Sequence, residues 1–232
     1  MELVQVIEKN IRQVPQVKTL CQRCLSTSRW QGNIISMIVD AAFTSTGLNY
    51  FLTVVPAVKL FNQKYITTGR IRTLDDLRQA DTTDLRTIWK NSRSWYVAQN
   101  VASYFSVIKT DCTLSDYQAF RTWALNTLLD DWQQDPVGKI NGIGINTFQY
   151  LRMMGGVDTV MPDKIVKKIM LDIHIQAGTE LPDDDIEFIK YMERLAKKTG
   201  YRAIELCWMT WLIQSEAHLM ENEKYASVLD SI

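Results

Sequence analysis

An all-α fold is what this sequence predicts, and three observations predict it. Apolar residues recur at helical spacing along nearly the whole chain, and no stretch alternates with period two. Capping residues and turn-prone clusters punctuate the chain at short intervals, with no low-complexity linker between them. Hydrophobic residues make up 46% and charged residues 22% of the 232 positions, the balance of a globular protein with one large core or two small lobes.

Taken in order, Val4, Ile7 and Ile11 mark a first helix that must stop before Pro15, and residues 16–25 carry a second. Asn33 can cap a long buried helix through Ile34, Ile35, Ile38, Ala41 and Ala42, which Thr44-Ser45-Thr46-Gly47 interrupts. Tyr50, Phe51, Val54, Val55, Val58 and Phe61 form another apolar face, with a kink or break expected at Pro56. Thr73 and Asp81 each precede an acidic first turn and start two short helices. Helices are then expected over 94–108 and 115–132, the second carrying Phe120, Trp123, Ala124 and Leu128 on one side. Asp135-Pro136-Val137-Gly138 closes it. Ile165, Val166, Ile169, Met170 and Ile173 make an amphipathic helix, and Leu181-Pro182-Asp183-Asp184-Asp185 starts one that ends near Gly200. A last helix runs from Tyr201 past Leu219, bearing Trp208 and Trp211, and frays after Glu221. The count is about ten helices and no substantial sheet.

Lys and Arg balance Asp and Glu, 26 against 26, so any nucleic-acid surface must be a local basic patch offset elsewhere. No apolar run approaches the roughly 18 residues needed to span a bilayer. No signal peptide is expected, because MELVQVIEKN reads as helical and charged from the start. Four scattered cysteines fit a reduced, intracellular setting, and they lack the close four-thiolate spacing of an iron–sulfur cluster. Cys21 and Cys24 form a CxxC inside a helix, where two same-face thiols are the simpler reading than zinc. His174 and His218 are isolated and read as structural.

The stretch that carries chemistry is KINGIGINTFQYLRMMGGVDTVMPDKIVKKI, residues 139–169. Gly142 and Gly144 permit a tight turn, and a helix starting behind them would aim free N–H groups from about Gly144 to Thr147 outward. Such a nest holds a phosphate with little net charge. Lys139, Lys164, Lys167 and Lys168 could supply the local basic patch. Asp163 follows at the head of a second helix, where it is expected to be held ionised, and the same position suits a plain N-cap.

The pattern Ile140-Asn141-Gly142-Ile143-Gly144-Ile145-Asn146-Thr147, a helix, and then Pro162-Asp163-Lys164-Ile165-Val166-Lys167-Lys168 resembles the helix–hairpin–helix DNA glycosylase superfamily, whose members include endonuclease III and the bacterial 3-methyladenine glycosylases. The resemblance is specific at the hairpin and aspartate and fainter at 33–48, 71–105 and 201–212. It implies a two-lobe fold: residues 31–150 form a central lobe ending in the hairpin, and residues 1–30 with 151–232 form a second, the cleft lying between them. It implies base excision on double-stranded DNA by an intracellular, cytoplasmic monomer, with no membrane association and no required cofactor. The hairpin would clamp the backbone through Lys139, Asn141, Gly142, Gly144, Asn146, Thr147 and Lys167, and a wedge would flip a damaged or mismatched base into a pocket. Asp163 would be the catalytic carboxylate. Bifunctional relatives carry a lysine nucleophile where this chain has Asn146, so a monofunctional hydrolase without lyase activity is implied. The glutamine that relatives push into the base stack has no counterpart at Ala42, which leaves Leu48 as an apolar wedge. Tyr150 and Met154 occupy positions that line the pocket in relatives, and Trp95 and Tyr96, in the polar run NSRSWY, are further cleft candidates. The backbone carbonyls of Gly138, Ile140 and Ile143 match those that hold a structural monovalent cation or Mg²⁺. Two other readings stay open: a non-catalytic DNA-binding or scaffold protein, and an unrelated helical interaction domain. The lesion is also open, with alkylated purines slightly favoured over oxidised purines and deaminated pyrimidines.

Overall fold

A computed structural model of the chain describes residues 2–214 and 232. Among them are twelve α-helices and no strand, so the fold is all-α. They are α1 Leu3–Ile11, α2 Val17–Leu25, α3 Ile34–Thr44, α4 Val55–Phe61, α5 Leu74–Gln79 and α6 Thr82–Leu85, then α7 Ser92–Asp111, α8 Asp116–Asn126, α9 Ile145–Met154, α10 Lys164–Ala177, α11 Asp185–Thr199 and α12 Ala203–Gln214. His218 and the expected frayed tail lie outside the described residues.

Local chemistry sets most of these boundaries. Asn33 accepts from Ser36 N–H at 2.9 Å at the head of α3. Thr73 and Asp76 form a reciprocal capping box on α5, and Asp184 accepts from Ile186 and Glu187 N–H at the start of α11. Gly178 and Gly200 take left-handed conformations where α10 and α11 end.

Two expectations fail for identifiable reasons. Pro56 does not break its helix. It sits in the first turn of α4, where its missing N–H is harmless, and short π-helical segments at Tyr50–Val54 and Asn62–Ile66 flank that helix. The helix expected to reach Trp132 stops at Asn126, and the chain then runs in turns to the hairpin. Asp135 organises them by accepting from Val137 N–H at 2.8 Å and from Trp123 Nε1 at 3.1 Å. Gly138 is pressed so close that a Cβ there would stand 1.8 Å from the Trp132 carbonyl oxygen.

Helix α3 is buried on nearly every side and packs on α4, α7 and α9, while α7 also covers α5 and α8. In a second group, α12 packs on α1, α2, α10 and α11, and α1 packs on α10. Contacts between α2 and α9 join the groups, and one continuous apolar core runs through both.

Candidate functional site

The hairpin turn closes with Ile143 N–H donating to the Ile140 carbonyl at 2.9 Å. Gly142 holds φ +105°, and a Cβ there would meet Val97 at 2.9 Å, so both conformation and space demand glycine. Gly144 differs. Its φ is −104°, which any residue adopts, and a Cβ would meet nothing within 4 Å. No side chain caps α9, and the N–H groups of Ile145, Asn146 and Thr147 bond to none of the described residues. Lys139, Asn141, Gly144 and Asn146 are exposed around this nest, while the Thr147 side chain is buried. Of the three carbonyls expected to hold a cation, that of Ile140 accepts from Ile143 N–H, while those of Gly138 and Ile143 accept no hydrogen bond from described residues.

The charge pattern near the turn is local. Arg93 and Lys139 are exposed there, and among the described residues neither has an acidic partner within 4.0 Å. Lys167, expected to face DNA, instead pairs with Asp185 at 2.6 Å and donates to the Asp183 carbonyl. The head of α11 holds it.

Asp163 caps α10, its Oδ1 accepting from Val166 N–H at 2.8 Å and its Oδ2 from Trp211 Nε1 at 2.7 Å. Burial raises its pKa, and the bonds from Val166, Trp211 and Ile165 offset only part of that rise. Burial thus outweighs the helix start, which on its own would have held the pKa down.

Trp211 leads inward to a polar cluster. Its ring lies 5.3 Å from that of Tyr50 at a steep angle. The Asp40 Oδ2 atom accepts from Trp30 Nε1 at 2.7 Å, Tyr50 Oη at 3.0 Å and Tyr150 Oη at 3.1 Å, and pairs with Arg29 Nη2 at 3.3 Å. Arg29 also donates to both tyrosine hydroxyls. All these side chains are buried. Burial pushes both phenols far above their usual range. Trp30 and Gln31 hold positive φ beside Arg29, a strain that the packed cluster sustains. The sequence reading missed Arg29, Asp40, Tyr50 and the contact of Trp211 with Asp163. Its signal was the single acid inside the apolar run IISMIVDAAF.

The pocket candidates thus separate. Tyr150 is committed to the buried cluster, and Met154 is core. Trp95 is no cleft residue: it is wholly buried, donates from Nε1 to the Trp89 carbonyl at 2.8 Å and packs edge-on against Phe43. Tyr96 points the other way, 49% exposed, and lines an open groove of about 630 Å³ with Asn141 of the hairpin. Leu48 is 52% exposed just past Gly47, and Leu52 beside it is equally open. Cys21, Cys24 and Cys207 are buried, with burial holding their thiols protonated, and no metal-ligand cluster occurs among the described residues. No described helix is long and apolar enough to cross a membrane. No family model, curated protein or solved structure matches the chain.

Proposed function

We propose that this chain is a monofunctional DNA glycosylase of the helix–hairpin–helix type, acting as an intracellular monomer on double-stranded DNA with a damaged or mismatched base. The observation that carries the reading is the uncapped, exposed head of α9. Three N–H groups there lack a partner among the described residues, and Gly144 stands where neither backbone nor neighbours require glycine. A residue without Cβ at that point leaves room for a phosphate to reach the backbone. Unpaired Lys139 and Arg93 nearby favour the same anion.

In this reading Asp163 works as the anion. As the bond from C1′ to the base nitrogen lengthens, positive charge grows on the sugar, and a partly buried carboxylate stabilises it more than water would. Water then adds at C1′ and its proton leaves with the base or to solvent. Val166 and Ile165 N–H and Trp211 Nε1 bond the carboxylate, which leaves a lone pair to orient that water. With Asn146 in place of an amine, no Schiff base forms and the strand stays intact.

The test is a panel of duplexes, each with one lesion. Wild type is expected to release a base from at least one, and Asp163→Asn to slow release by about 10³-fold while binding persists. Asn caps a helix as well as Asp does, so the variant should fold. The second reading, a non-catalytic DNA-binding or scaffold protein, is favoured by the sealed surroundings of Tyr150 and Met154. Duplex binding with no release from any lesion would establish it.

A further inference from the structure

The groove between the hairpin and α7 has no part in the base-release chemistry. Thr82, Ser92, Arg93, Tyr96, Gln99 and Asn141 line it, enclosing about 630 Å³ open to solvent. Gln99 is occupied, donating to the Leu77 and Ala80 carbonyls. Arg93 is not: among the described residues its guanidinium has no acidic partner, and its Nε would stand 3.0 Å from a Cβ on Gly142. That contact places the cation against the hairpin turn. Tyr96, one helical turn further on, offers a half-exposed ring.

We infer that this groove binds an unpaired nucleotide of the strand held by the hairpin, Arg93 taking its phosphate and Tyr96 stacking on its base. The inference rests on the hairpin reading, because Asn141 and Gly142 join the groove to the α9 nest. An arginine beside an aromatic is the combination that holds single-stranded nucleic acid without reading its sequence. A fully paired duplex keeps base faces covered by their neighbours, so Tyr96 gains contact only where a base is unstacked. The groove therefore adds affinity for a duplex interrupted by unpaired nucleotides, such as a bubble or gap, beyond that for continuous duplex.

Binding of the full chain to labelled DNA tests this, using one continuous duplex and the same duplex with a short bubble. Wild type should bind the bubble about tenfold more tightly. Tyr96→Ala should abolish the difference and leave affinity for continuous duplex unchanged, whereas Tyr96→Phe, which keeps the ring, should retain it. Tyr96 is half exposed, so neither variant threatens the core. Equal wild-type affinity for the two DNAs, or a preference that survives Tyr96→Ala, overturns the groove while leaving the hairpin reading in place. Absence of binding to both DNAs overturns both.

Discussion

Burial raises the Asp163 carboxyl above the ordinary carboxylate range, and the Trp211 indole N–H opposes that rise by bonding to the ionised form. Trp211→Phe removes the donor and keeps most of the ring, so the pKa must climb further. If base release needs the anion, its rate falls as pH drops through that pKa, and the acid limb of a single-turnover profile should move to higher pH in the variant. An unmoved limb would mean that Asp163 does not govern the rate. Stability runs in the opposite sense. A carboxyl with a folded pKa above its unfolded value destabilises the fold as pH rises through that window, so stability in urea titration should fall over the same range. Asp40 is the contrasting acid, its charge shared among Arg29, Trp30, Tyr50 and Tyr150 with no exposed surface. Asp40→Ala leaves a buried guanidinium uncompensated and should destabilise by about 3–5 kcal/mol in urea titration. Pairing it with Arg29→Met should recover part of that loss, because the two changes are not additive.

The two hairpin glycines answer to different demands, which makes them a diagnostic pair. Gly142→Ala forces a side chain into positive φ and against Val97, so it should lower stability by about 1–3 kcal/mol. Gly144→Ala meets no neighbour and keeps an ordinary φ, so stability should change by less than about 0.5 kcal/mol. Duplex affinity should nevertheless fall, since the added methyl stands between the α9 N–H groups and an approaching phosphate. Unchanged affinity in a folded Gly144→Ala protein would remove the hairpin from the binding surface. The turns before the hairpin belong to the same element. They replace the expected helix because Asp135 draws the chain back onto Trp123 and Gly138 has no room for a side chain.

Across the molecule, what was legible in the sequence was what is local. Asn33, Thr73, Asp163 and Asp184 cap helices within three residues of their own positions, and the apolar periodicity named the buried faces. The polar cluster was not legible, because Arg29 and Tyr150 stand 121 residues apart and meet only in the folded core, and nothing in either neighbourhood anticipates the other. Charge shows the same division. A neutral sum hides that Lys167 is used up by Asp185 while Arg93 and Lys139, at the turn, have no acidic partner among the described residues. Lys167 looked available in sequence only because its partner comes from the next helix. A patch this small sets a measurable limit. Each phosphate neutralised contributes about −0.9 to the slope of log affinity against log salt concentration. Two to four contacts predict a slope of about −2 to −4, or a roughly ten- to hundredfold loss between 50 and 200 mM salt. Arg93→Ala should reduce the slope by about one, and Lys167→Ala should leave it unchanged because that cation already has its acid. A steeper slope that responds to Lys167 but not to Arg93 would relocate the DNA path from the α7 side of the hairpin to the α10–α11 side.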